Sequence, residues 1–317
     1  MHTVLITGAN GMVGRVVVPC LLGLHTRVKA LLYPEETSCI IDHENLEIVY
    51  GDITDIDWDS ILAGVDEVIH LAAKVHVLTK RDEIWDEFHE TNVAATRLLC
   101  EAAVRNCIKK LIFISTVGVH GDYPQVDNIG DLIVEPLTLY ARSKLMAEEE
   151  VIKILSGRVS YLIFRPVMMY GIGDRGNMGR MINAIAKKRF VLPGFGSNKK
   201  SAMFVDDFAG ILCAACTSTD LENEICIVSN HDVLTLREMC DEISNHVARG
   251  WQVPQIPEVL LRWAGKLGDL FSFLPVNSKV VNKLSVDSDF SSYSTVQERL
   301  GILEETSFSN ALTKMGY

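Results

Sequence analysis

The sequence predicts an α/β fold, a doubly wound parallel sheet of the Rossmann type with a smaller C-terminal lobe. The first observation is a short apolar run at residues 3–7 that leads directly into a loop with glycines at positions 8, 11 and 14. The second is that similar runs recur along the chain, and continuous runs of this kind are typical of strands buried in a parallel sheet. They lie at residues 28–33, 46–50, 68–73, 111–116 and 161–164.

The composition is that of a globular protein large enough to bury a substantial core, as one large domain or two coupled ones. The chain has 317 residues, 48% of them hydrophobic and 22% charged, and its formal net charge of −11 argues against a nucleic-acid partner. No apolar run reaches the roughly 20 residues of a membrane span, and the N-terminus lacks the basic region of a signal peptide. We therefore expect a cytoplasmic protein with no membrane span.

Eight cysteines are scattered along the chain and predict reduced thiols, as is usual in a cytoplasm. Cys213 and Cys216 form a C-x-x-C within a helical run at residues 208–216. No second C-x-x-C accompanies it, so we expect core packing there and no metal site.

The glycine-rich loop predicts a site for a dinucleotide cofactor. The spacing G-x-x-G-x-x-G permits a tight turn, a close approach of the backbone to a pyrophosphate, and close packing of the next helix on the strand. An ordinary glycine-rich turn is the alternative, but the position between an apolar strand and an apolar helix favours the cofactor. Pro19 falls inside that helix and is expected to kink it. The loop residues assigned to the cofactor are Gly8, Asn10, Gly11, Met12, Val13, Gly14 and Arg15.

The end of the second strand bears on the choice between NAD and NADP. An acid at this point would bind the ribose of NAD, and a cation would bind the extra phosphate of NADP. Tyr33 occupies the position, Glu35 and Glu36 follow it, and Arg15 stands just after the glycines. These signals conflict. The balance favours NADP, because no acid ends the strand itself and Arg15 could meet the phosphate.

The ends of the third and fourth strands carry further candidates for the cofactor site. Asp52, with Ile53 beside it, could bind the adenine amino group or could cap the helix that follows. The fourth strand ends in Leu71, Ala72 and Ala73, and the small alanines would let a cofactor lie close.

Two polar residues near the predicted site are interpreted as structural. His70, at the end of the fourth strand, is expected to be a core residue and not a catalyst. Asn92 lies in the middle of a long helix predicted at residues 84–105. Because an asparagine among apolar residues is costly unless it is hydrogen-bonded, we expect it to be a polar anchor beneath the site.

Four side chains are candidates for the chemistry. Ser115 and Thr116 end the fifth strand, where a hydroxyl could hold a substrate oxygen, although both are also ordinary turn formers. Tyr140 and Lys144 lie four apart in an amphipathic helix predicted at residues 139–150 and so share one face. A lysine cation lowers the pKa of a phenol, which is about 10 when free, towards the working range. The pair could then exchange a proton with an alcohol oxygen while a hydride moves on the adjoining carbon.

A basic segment at residues 175–200 interrupts an otherwise acidic chain. It holds seven basic residues and no acid. An anionic small molecule such as a diphosphate ester would explain it, and so would a solvated helix face. The basic residues are Arg175, Arg180, Lys187, Lys188, Arg189, Lys199 and Lys200.

Taken together, the motifs resemble the extended branch of the short-chain dehydrogenase/reductase superfamily, the nucleotide-sugar epimerase/dehydratase group, over essentially the whole chain. The resemblance implies that Thr116 is the catalytic hydroxyl with Ser115 its neighbour, that Tyr140 is the acid/base, and that Lys144 tunes it and binds the nicotinamide ribose. His120 is a departure, since the family usually has tyrosine there. The motifs are Thr7-Gly8-x-x-Gly11-x-x-Gly14, Gly51-Asp52, His70-Leu71-Ala72-Ala73, Thr91-Asn92-Val93-x-x-Thr96, Ser115-Thr116-x-x-Val119-x-Gly121, Tyr140-x-x-Ser143-Lys144 and Arg165-Pro166 with Tyr170-Gly171.

The later chain resembles bacterial sugar-nucleotide 4-ketoreductases and 4-epimerases of surface-polysaccharide pathways. In that group the asparagine matching Asn177 contacts the nucleotide diphosphate, which favours diphosphate binding by the basic segment. Lys200 stands where many relatives carry arginine, which would weaken a bidentate grip on phosphate. On the same resemblance Lys74 is assigned to the substrate, and Asn92 and Pro166 to the cofactor. The narrower likeness rests on residues 173–178, 192–201, 204–207 and 284–287.

Together with this resemblance, the residues predict an NAD(P)-dependent oxidoreductase that transfers a hydride to or from a nucleotide-activated sugar, with reduction of a 4-keto sugar as the favoured reaction. An NAD-retaining 4-epimerase would use the same residues and is the main alternative. A steroid or lipid reductase and a non-catalytic dinucleotide sensor are further ones.

The predicted domain division places the dinucleotide-binding part at residues 1–165, with returns to the sheet at 204–207 and 224–228, and the substrate lobe mainly at 166–317. Residues 254–275 are predicted to form a lid or a packing helix, with contact to a membrane surface as the alternative. Family likeness also implies a homodimer through the helices that hold Asn92 and Tyr140.

Overall fold

The computed structural model describes residues 2–75, 84–126, 131–270 and 278–317. Strands and helices alternate along the chain. In chain order the strands are β1 (Thr3–Thr7), β2 (Arg27–Leu32), β3 (Leu46–Tyr50), β4 (Glu67–His70), β5 (Lys110–Ile114), β6 (Ser160–Pro166), β7 (Met168–Tyr170), β8 (Leu192–Pro193), β9 (Lys199–Lys200), β10 (Ala202–Phe204), β11 (Glu224–Val228), β12 (Leu234–Thr235) and β13 (Gln255–Ile256).

The helices differ widely in length. A π-helical segment (His89–Ala94) joins α3 (Ile84–Phe88) to α4 (Ala95–Arg105), and a 3-10 helix (Val117–His120) follows β5. The remaining α-helices are α1 (Gly14–Gly23), α2 (Trp58–Leu62), α5 (Leu139–Leu155), α6 (Asn177–Ala186), α7 (Val205–Thr217), α8 (Leu236–Val247), α9 (Glu258–Leu270), α10 (Ser278–Ser285), α11 (Val296–Arg299) and α12 (Phe308–Lys314).

Seven of the described strands form one parallel sheet in the order β11-β6-β5-β4-β1-β2-β3. The strand order changes direction at β1, with β2 and β3 on one side of it and β4 on the other. Ligands of open α/β sheets bind in the crevice outside the carboxyl ends of the strands at such a point. The predicted Rossmann-type sheet is therefore confirmed.

The sheet is buried on both faces, because alternate residues of its strands enter two different apolar cores. In β1, Val4 and Ile6 pack with residues of α1 and α7, whereas Leu5 packs with residues of α2, α4 and α5. In β5, Ile112 belongs to the first core and Phe113 to the second. This arrangement explains why the strands appear in the sequence as continuous apolar runs.

Three sequence-based expectations, for residues 204–207, residues 224–228 and Pro19, have different outcomes in the structure. The strand predicted at 204–207 is wrong beyond Phe204, because Val205 begins α7 and its first turn holds acids, which the positive end of the helix dipole favours. The return at 224–228 is confirmed as β11, paired with β6. Pro19 does not end α1, which continues through it, and the proline lies on the exposed side, where water can replace the lost hydrogen bond; the expected kink stays a prediction.

The C-terminal part of the chain packs on the same core as one face of the sheet. Ile182 of α6, Met239 of α8 and Leu312 of α12 all belong to it. The boundary at residue 165 stays a prediction. The helix predicted within 254–275 is present as α9, which packs against α10, and the rest of that segment lies outside the described residues. None of the described helices is long and apolar enough to cross a membrane.

Candidate active site

The predicted site residues leave the sheet along its carboxyl edge. The glycine loop follows β1, Tyr33 follows β2, and Asp52 lies two residues after β3. The segment 71–74 follows β4, and Ser115 follows β5. Because these strands are parallel, all five segments lie at one edge of the sheet, and α5 packs beside them against α4 and β6.

The glycine loop approaches the segment after β4 so closely that side chains are excluded. Gly8 has a φ of +66°, and a Cβ atom there would lie 2.8 Å from the amide nitrogen of Ala72. A Cβ atom on Gly14 would lie 2.4 Å from the carbonyl oxygen of Ala9, so α1 begins directly against the turn. A bare backbone cradle at a helix N-terminus fits the pyrophosphate of a dinucleotide.

Asn10 connects this loop to the segment after β2. Its Nδ2 donates to the carbonyl of Thr37 over 3.1 Å, and its Oδ1 accepts from the amide of Cys39 over 3.1 Å. The side chain therefore shapes the cradle by holding two segments together. The side chains of Met12 and Val13 pack against the apolar core.

A cation and an anion both lie at the end of the cradle near β2. The Nε of Arg15 donates to the carbonyl of Asn10 over 2.7 Å, which lays the guanidinium along the glycine loop. Tyr33 is half exposed, and its amide donates to the carboxylate of Glu36 over 3.3 Å. The guanidinium suits the extra phosphate of NADP, and the carboxylate suits the free ribose hydroxyls of NAD.

Asp52 stabilises a turn and does not cap α2. Its Oδ1 accepts hydrogen bonds from the amide and the hydroxyl of Thr54, over 2.9 Å and 2.8 Å. The cap of α2 is Asp57, whose Oδ1 accepts from the amide of Ser60 over 3.4 Å. The predicted capping role is therefore wrong, and contact with adenine stays a prediction. Ile53 is buried in the second core.

His70 is a buried structural residue, as its sequence position predicts. Its Nδ1 lies 2.7 Å from the hydroxyl of Thr7, and its Nε2 lies 3.1 Å from the hydroxyl of Thr96. The Thr96 hydroxyl donates to the carbonyl of Asn92, so it must accept from Nε2, which carries a proton. The Thr7 hydroxyl accepts from the amide of Ala72 and can donate to Nδ1, which fits a neutral ring. Burial, followed by the charge of Lys144, lowers the pKa of His70 to about 3.

Asn92 is the polar anchor that its position predicts. It lies in the π-helical segment, an irregularity that is frequent at functional sites. Its Oδ1 accepts from the amide of Lys74 over 2.8 Å, and its Nδ2 donates to the Lys74 carbonyl and to the Ser143 hydroxyl over 3.0 Å and 2.9 Å. One amide thus joins the segment after β4 to α5. The Lys74 ammonium forms an ion pair with Glu87.

Tyr140 is the second residue of α5, whose N-terminus is capped by the Thr138 hydroxyl accepting from the amide of Ala141 over 3.1 Å. The residue as a whole is partly exposed, and its ring lies 6.3 Å from the ring of Phe88 between centroids. Burial raises the pKa of the Tyr140 phenol to about 12. In the protein alone the Tyr140 pKa therefore shifts in the direction opposite to the predicted one, and the effect of the Lys144 ammonium on the phenol stays a prediction.

Lys144 is buried one turn further along α5, with 2% of its surface exposed. Its Nζ lies 3.9 Å from the centroid of the Phe113 ring, within the range of a cation–π contact. Burial lowers the pKa of Lys144 to about 7, and the carboxylate of Glu148 opposes the shift. At neutral pH the charge of Lys144 is therefore sensitive to a charged group that binds beside it.

The two hydroxyls at the end of β5 have different surroundings. Ser115 is buried and donates to the carboxylate of Glu148 in a short hydrogen bond, so it is held away from a substrate. Thr116 is partly exposed, and its Oγ1 accepts from the amide of Gly118 over 3.1 Å, which leaves its own proton uncommitted by that bond. Thr116 is therefore the hydroxyl of the two that a substrate oxygen could reach.

A buried ion pair behind these residues was missed by the sequence reasoning. Arg165 donates from Nε and Nη2 to the two carboxylate oxygens of Glu148, over 3.0 Å and 2.5 Å. The pair shares the Glu148 carboxylate with Ser115. A signal was present, since Glu148 continues the spacing of four from Tyr140 through Lys144 on one helix face.

The residues predicted to bind substrate lie on different elements: Lys74 follows β4, Thr116 follows β5, Tyr140 is in α5, Asn177 in α6 and Lys200 in β9. Asn177 begins α6 on the surface, and its Oδ1 accepts from Arg180 over 3.0 Å. Asp174 accepts from two amides at the same helix end, those of residues 176 and 179. Lys200 is buried and donates to the carbonyl of Val286 over 2.5 Å, so its ammonium supports the fold there.

Comparison with known proteins extends this picture. A UDP-glucose 4-epimerase of Vibrio cholerae is 27% identical over 301 residues, which cover 90% of this chain and 87% of that protein. N-acetyl-alpha-D-glucosaminyl-diphospho-ditrans,octacis-undecaprenol 4-epimerase of Escherichia coli O157:H7 is 26% identical over 297 residues, which cover 89% and 84%.

Solved structures show the same fold. UDP-glucuronic acid 4-epimerase from Bacillus cereus, in complex with UDP-glucuronic acid and NAD, superimposes with a TM-score of 0.77 at 19% identity, covering 99% of this chain and 97% of that chain. The family model of the NAD dependent epimerase/dehydratase family matches residues 4–228, well over half of the chain. The protein therefore belongs to the NAD-dependent epimerase/dehydratase family and is an enzyme of the extended short-chain dehydrogenase/reductase class, as its motifs predict.

Proposed function

We propose that the protein moves a hydride at C4 of a nucleotide-activated sugar, and that reduction of a 4-keto sugar is its reaction. The observation that carries this proposal is the position of Tyr140 and Lys144 on α5 and of Thr116 after β5, at the sheet edge that holds the glycine cradle. The bound cofactor supplies the hydride. The protein supplies a proton and a fixed place for the sugar oxygen.

The proton chemistry supports the direction of reduction. With a pKa of about 12, the phenol of Tyr140 is protonated at neutral pH and can donate to the sugar oxygen as that oxygen becomes negative. The ammonium form of Lys144, one turn away, stabilises the phenolate that remains. The hydroxyl of Thr116 holds the same oxygen and fixes its distance from the phenol.

Cofactor exchange separates a reductase from an epimerase, because a reductase releases its oxidised cofactor at every turnover. Residues 33–45, all of them described, form neither helix nor strand and are mostly exposed. An open segment beside the β2 end of the cradle supports exchange. Epimerisation at C4 is the second candidate, since both relatives described above are named as 4-epimerases.

We infer NAD as the cofactor in place of the NADP that the sequence favours. The Glu36 carboxylate lies against the amide of Tyr33 at the end of β2, where it would repel a 2′-phosphate and accept from ribose hydroxyls. Arg15 already uses its Nε on the carbonyl of Asn10. The family description and the NAD-bound neighbour support the same choice.

A sugar joined through a diphosphate is the proposed substrate class. The names of both relatives describe such a sugar, carried by a nucleoside in one and by a polyprenol in the other. Arg180, paired with Asn177 at the surface end of α6, is a cation available for the diphosphate. Lys200 contributes indirectly, by holding the backbone at Val286.

Isotope transfer tests the reaction. The purified protein is mixed with 4-keto nucleotide sugars and NADH that carries deuterium at the nicotinamide C4. We expect deuterium at C4 of the product sugar, with loss of the near-ultraviolet absorbance of NADH. Interconversion of C4 epimers without deuterium from the added NADH would establish the epimerase, and neither change with any nucleotide sugar would refute both.

The predicted homodimer is proposed to use α4, α5 and the π-helical segment, which pack together along one face of the sheet. Light scattering, measured as the protein elutes from a size-exclusion column, should give a molar mass twice that of one chain. The predicted cytoplasmic location stays a prediction.

A further inference from the structure

His120 ends the short 3-10 helix that Thr116 caps at its start. The ring is buried, with 2% of the residue exposed, and lies 6.2 Å from the ring of Phe290 between centroids. Its Nε2 is 3.0 Å from Nη1 of Arg165, and its Nδ1 is 2.8 Å from the carbonyl oxygen of Ile133.

These two partners fix the protonation of the ring. A guanidinium group only donates hydrogen bonds, so Nε2 of His120 must accept from Arg165 and carries no proton. A carbonyl oxygen only accepts, so Nδ1 must carry the proton that bonds Ile133. His120 is therefore neutral, in the tautomer opposite to that of His70. A second proton, on Nε2, would place an N–H group opposite the N–H group of Arg165, and neither of them can accept a hydrogen bond.

On one side, hydrogen bonds connect His120 to the turn that carries the proposed catalytic hydroxyl, that of Thr116. Arg165 binds Glu148 with two hydrogen bonds, and Glu148 accepts from Ser115, the residue next to Thr116. The backbone of the 3-10 helix connects the same residues directly, because Thr116 caps the start of this helix and His120 is its last residue. Fixing the ring therefore fixes both ends of the turn that carries the Thr116 hydroxyl.

On the other side, a hydrogen bond connects His120 to the segment that precedes the proposed catalytic phenol, that of Tyr140. Its Nδ1 donates to the carbonyl of Ile133, which holds the segment that precedes α5. The amide of Glu135 donates to the carbonyl of Val119 over 2.8 Å and ties the same two segments at their backbones. The segment then runs on to the cap of α5 and to Tyr140 in its first turn. One side chain thus lies between the segments that carry the two proposed reacting hydroxyls.

We propose that neutral His120 is a positioning residue, which couples the hydroxyl of Thr116 to the phenol of Tyr140, and that protonation of its ring uncouples them and slows hydride transfer in acid. The activity part of this inference rests on the proposed function. Among the described residues, the charged groups that act on the ring are Arg165 from β6 and Glu148 from α5, while the C-terminal part of the chain presents Phe290.

The surroundings favour the neutral ring at neutral pH. Burial lowers the pKa of His120; the bond to the Ile133 carbonyl opposes this shift, Arg165 adds to it, and Glu148 opposes it. Protonation therefore begins below the ordinary histidine value of about 6.5. In that range the proton on Nε2 displaces Arg165, which loosens its hold on Glu148.

Nitrogen NMR tests the geometry without any activity. In protein labelled with ¹⁵N-histidine, the His120 ring, assigned by its loss in His120→Gln, should show a protonated Nδ1 and an unprotonated Nε2 at neutral pH. A proton on Nε2 at neutral pH would overturn the inference, whether or not the protein transfers hydride.

Two substitutions of His120 test the expected effect of the ring on hydride transfer. His120→Phe removes both hydrogen bonds and should lower kcat about tenfold or more while KM stays within about threefold, because the reacting groups lose alignment. His120→Gln restores an acceptor for Arg165 that does not titrate, so it should recover most of that loss and abolish the fall of kcat in acid. The exposed His231→Gln is the control and should keep the wild-type pH profile.

The outcomes separate this inference from the proposed function. If the wild-type protein transfers hydride but His120→Phe and His120→Gln share its kcat and its pH profile, His120 does not position the site. If no variant and no wild-type protein transfers hydride, the proposed function fails, and the NMR result alone decides the state of the ring.

Discussion

Breaking the buried ion pair between Glu148 and Arg165 should strongly destabilise the fold. Glu148 is 1% exposed, and its carboxylate accepts hydrogen bonds from Arg165 and from Ser115. Glu148→Gln keeps the size of the side chain but leaves the Arg165 cation buried without a counter-charge. Removing one partner of a buried pair costs about 3–5 kcal/mol, so we expect the free energy of unfolding to fall by about that amount.

Urea unfolding at neutral pH, followed by circular dichroism, measures the loss as a shift of the midpoint at constant slope. The control is Glu258→Gln, which breaks an exposed ion pair with Arg262 on α9 and should cost less than about 1 kcal/mol. Combining Glu148→Leu with Arg165→Met replaces the buried pair by apolar groups and should recover most of the loss. A loss in Glu148→Gln no larger than that of the control would refute the reasoning.

Three further predictions concern other parts of the site. Gly8→Ala should weaken NAD binding at least about tenfold in calorimetric titration, because its Cβ would overlap Ala72, whereas Gly64→Ala, at a φ of +72° in open space, should cost only about 1–2 kcal/mol of backbone strain and leave binding unchanged. Since the pKa of His70 is about 3 in the fold, His70 should lower the free energy of unfolding by about 1.4 kcal/mol for each pH unit between about 6.5 and about 3, and His70→Gln should reduce the pH slope by that amount; equal slopes in urea unfolding would contradict it. Glu36→Ala should raise the affinity for NADP relative to NAD at least about fivefold, and an unchanged ratio of dissociation constants would show that Glu36 does not select the cofactor.

The fold could be predicted from the sequence because local pattern and global packing agree. Strands buried on both faces appear as continuous apolar runs, and the glycine loop stands between the first strand and the first helix. The error at 204–207 has a local cause, since an apolar and acidic stretch suits either a strand end or the first turn of a helix.

The site could be predicted as a set of positions but not as an electrostatic arrangement. Ser115 and Thr116 are adjacent hydroxyls in the sequence, and only the packing of α5 shows that Ser115 is bound to Glu148. The raised pKa of Tyr140 depends on how much water its surroundings exclude, which spacing along a helix does not reveal. Asn92 was predictable because a mid-helix amide among apolar residues demands partners, although their identity was not.

The role of Tyr140 as the proton donor is tested most directly by the single-turnover rate of hydride transfer in Tyr140→Phe. This substitution keeps the ring beside Phe88 and removes only the hydroxyl. We expect the rate to fall about a thousandfold with the dissociation constant for NAD within about threefold, while Tyr161→Phe, buried in β6, keeps the wild-type rate. A Tyr140→Phe rate within about tenfold of the wild-type rate would contradict the assignment.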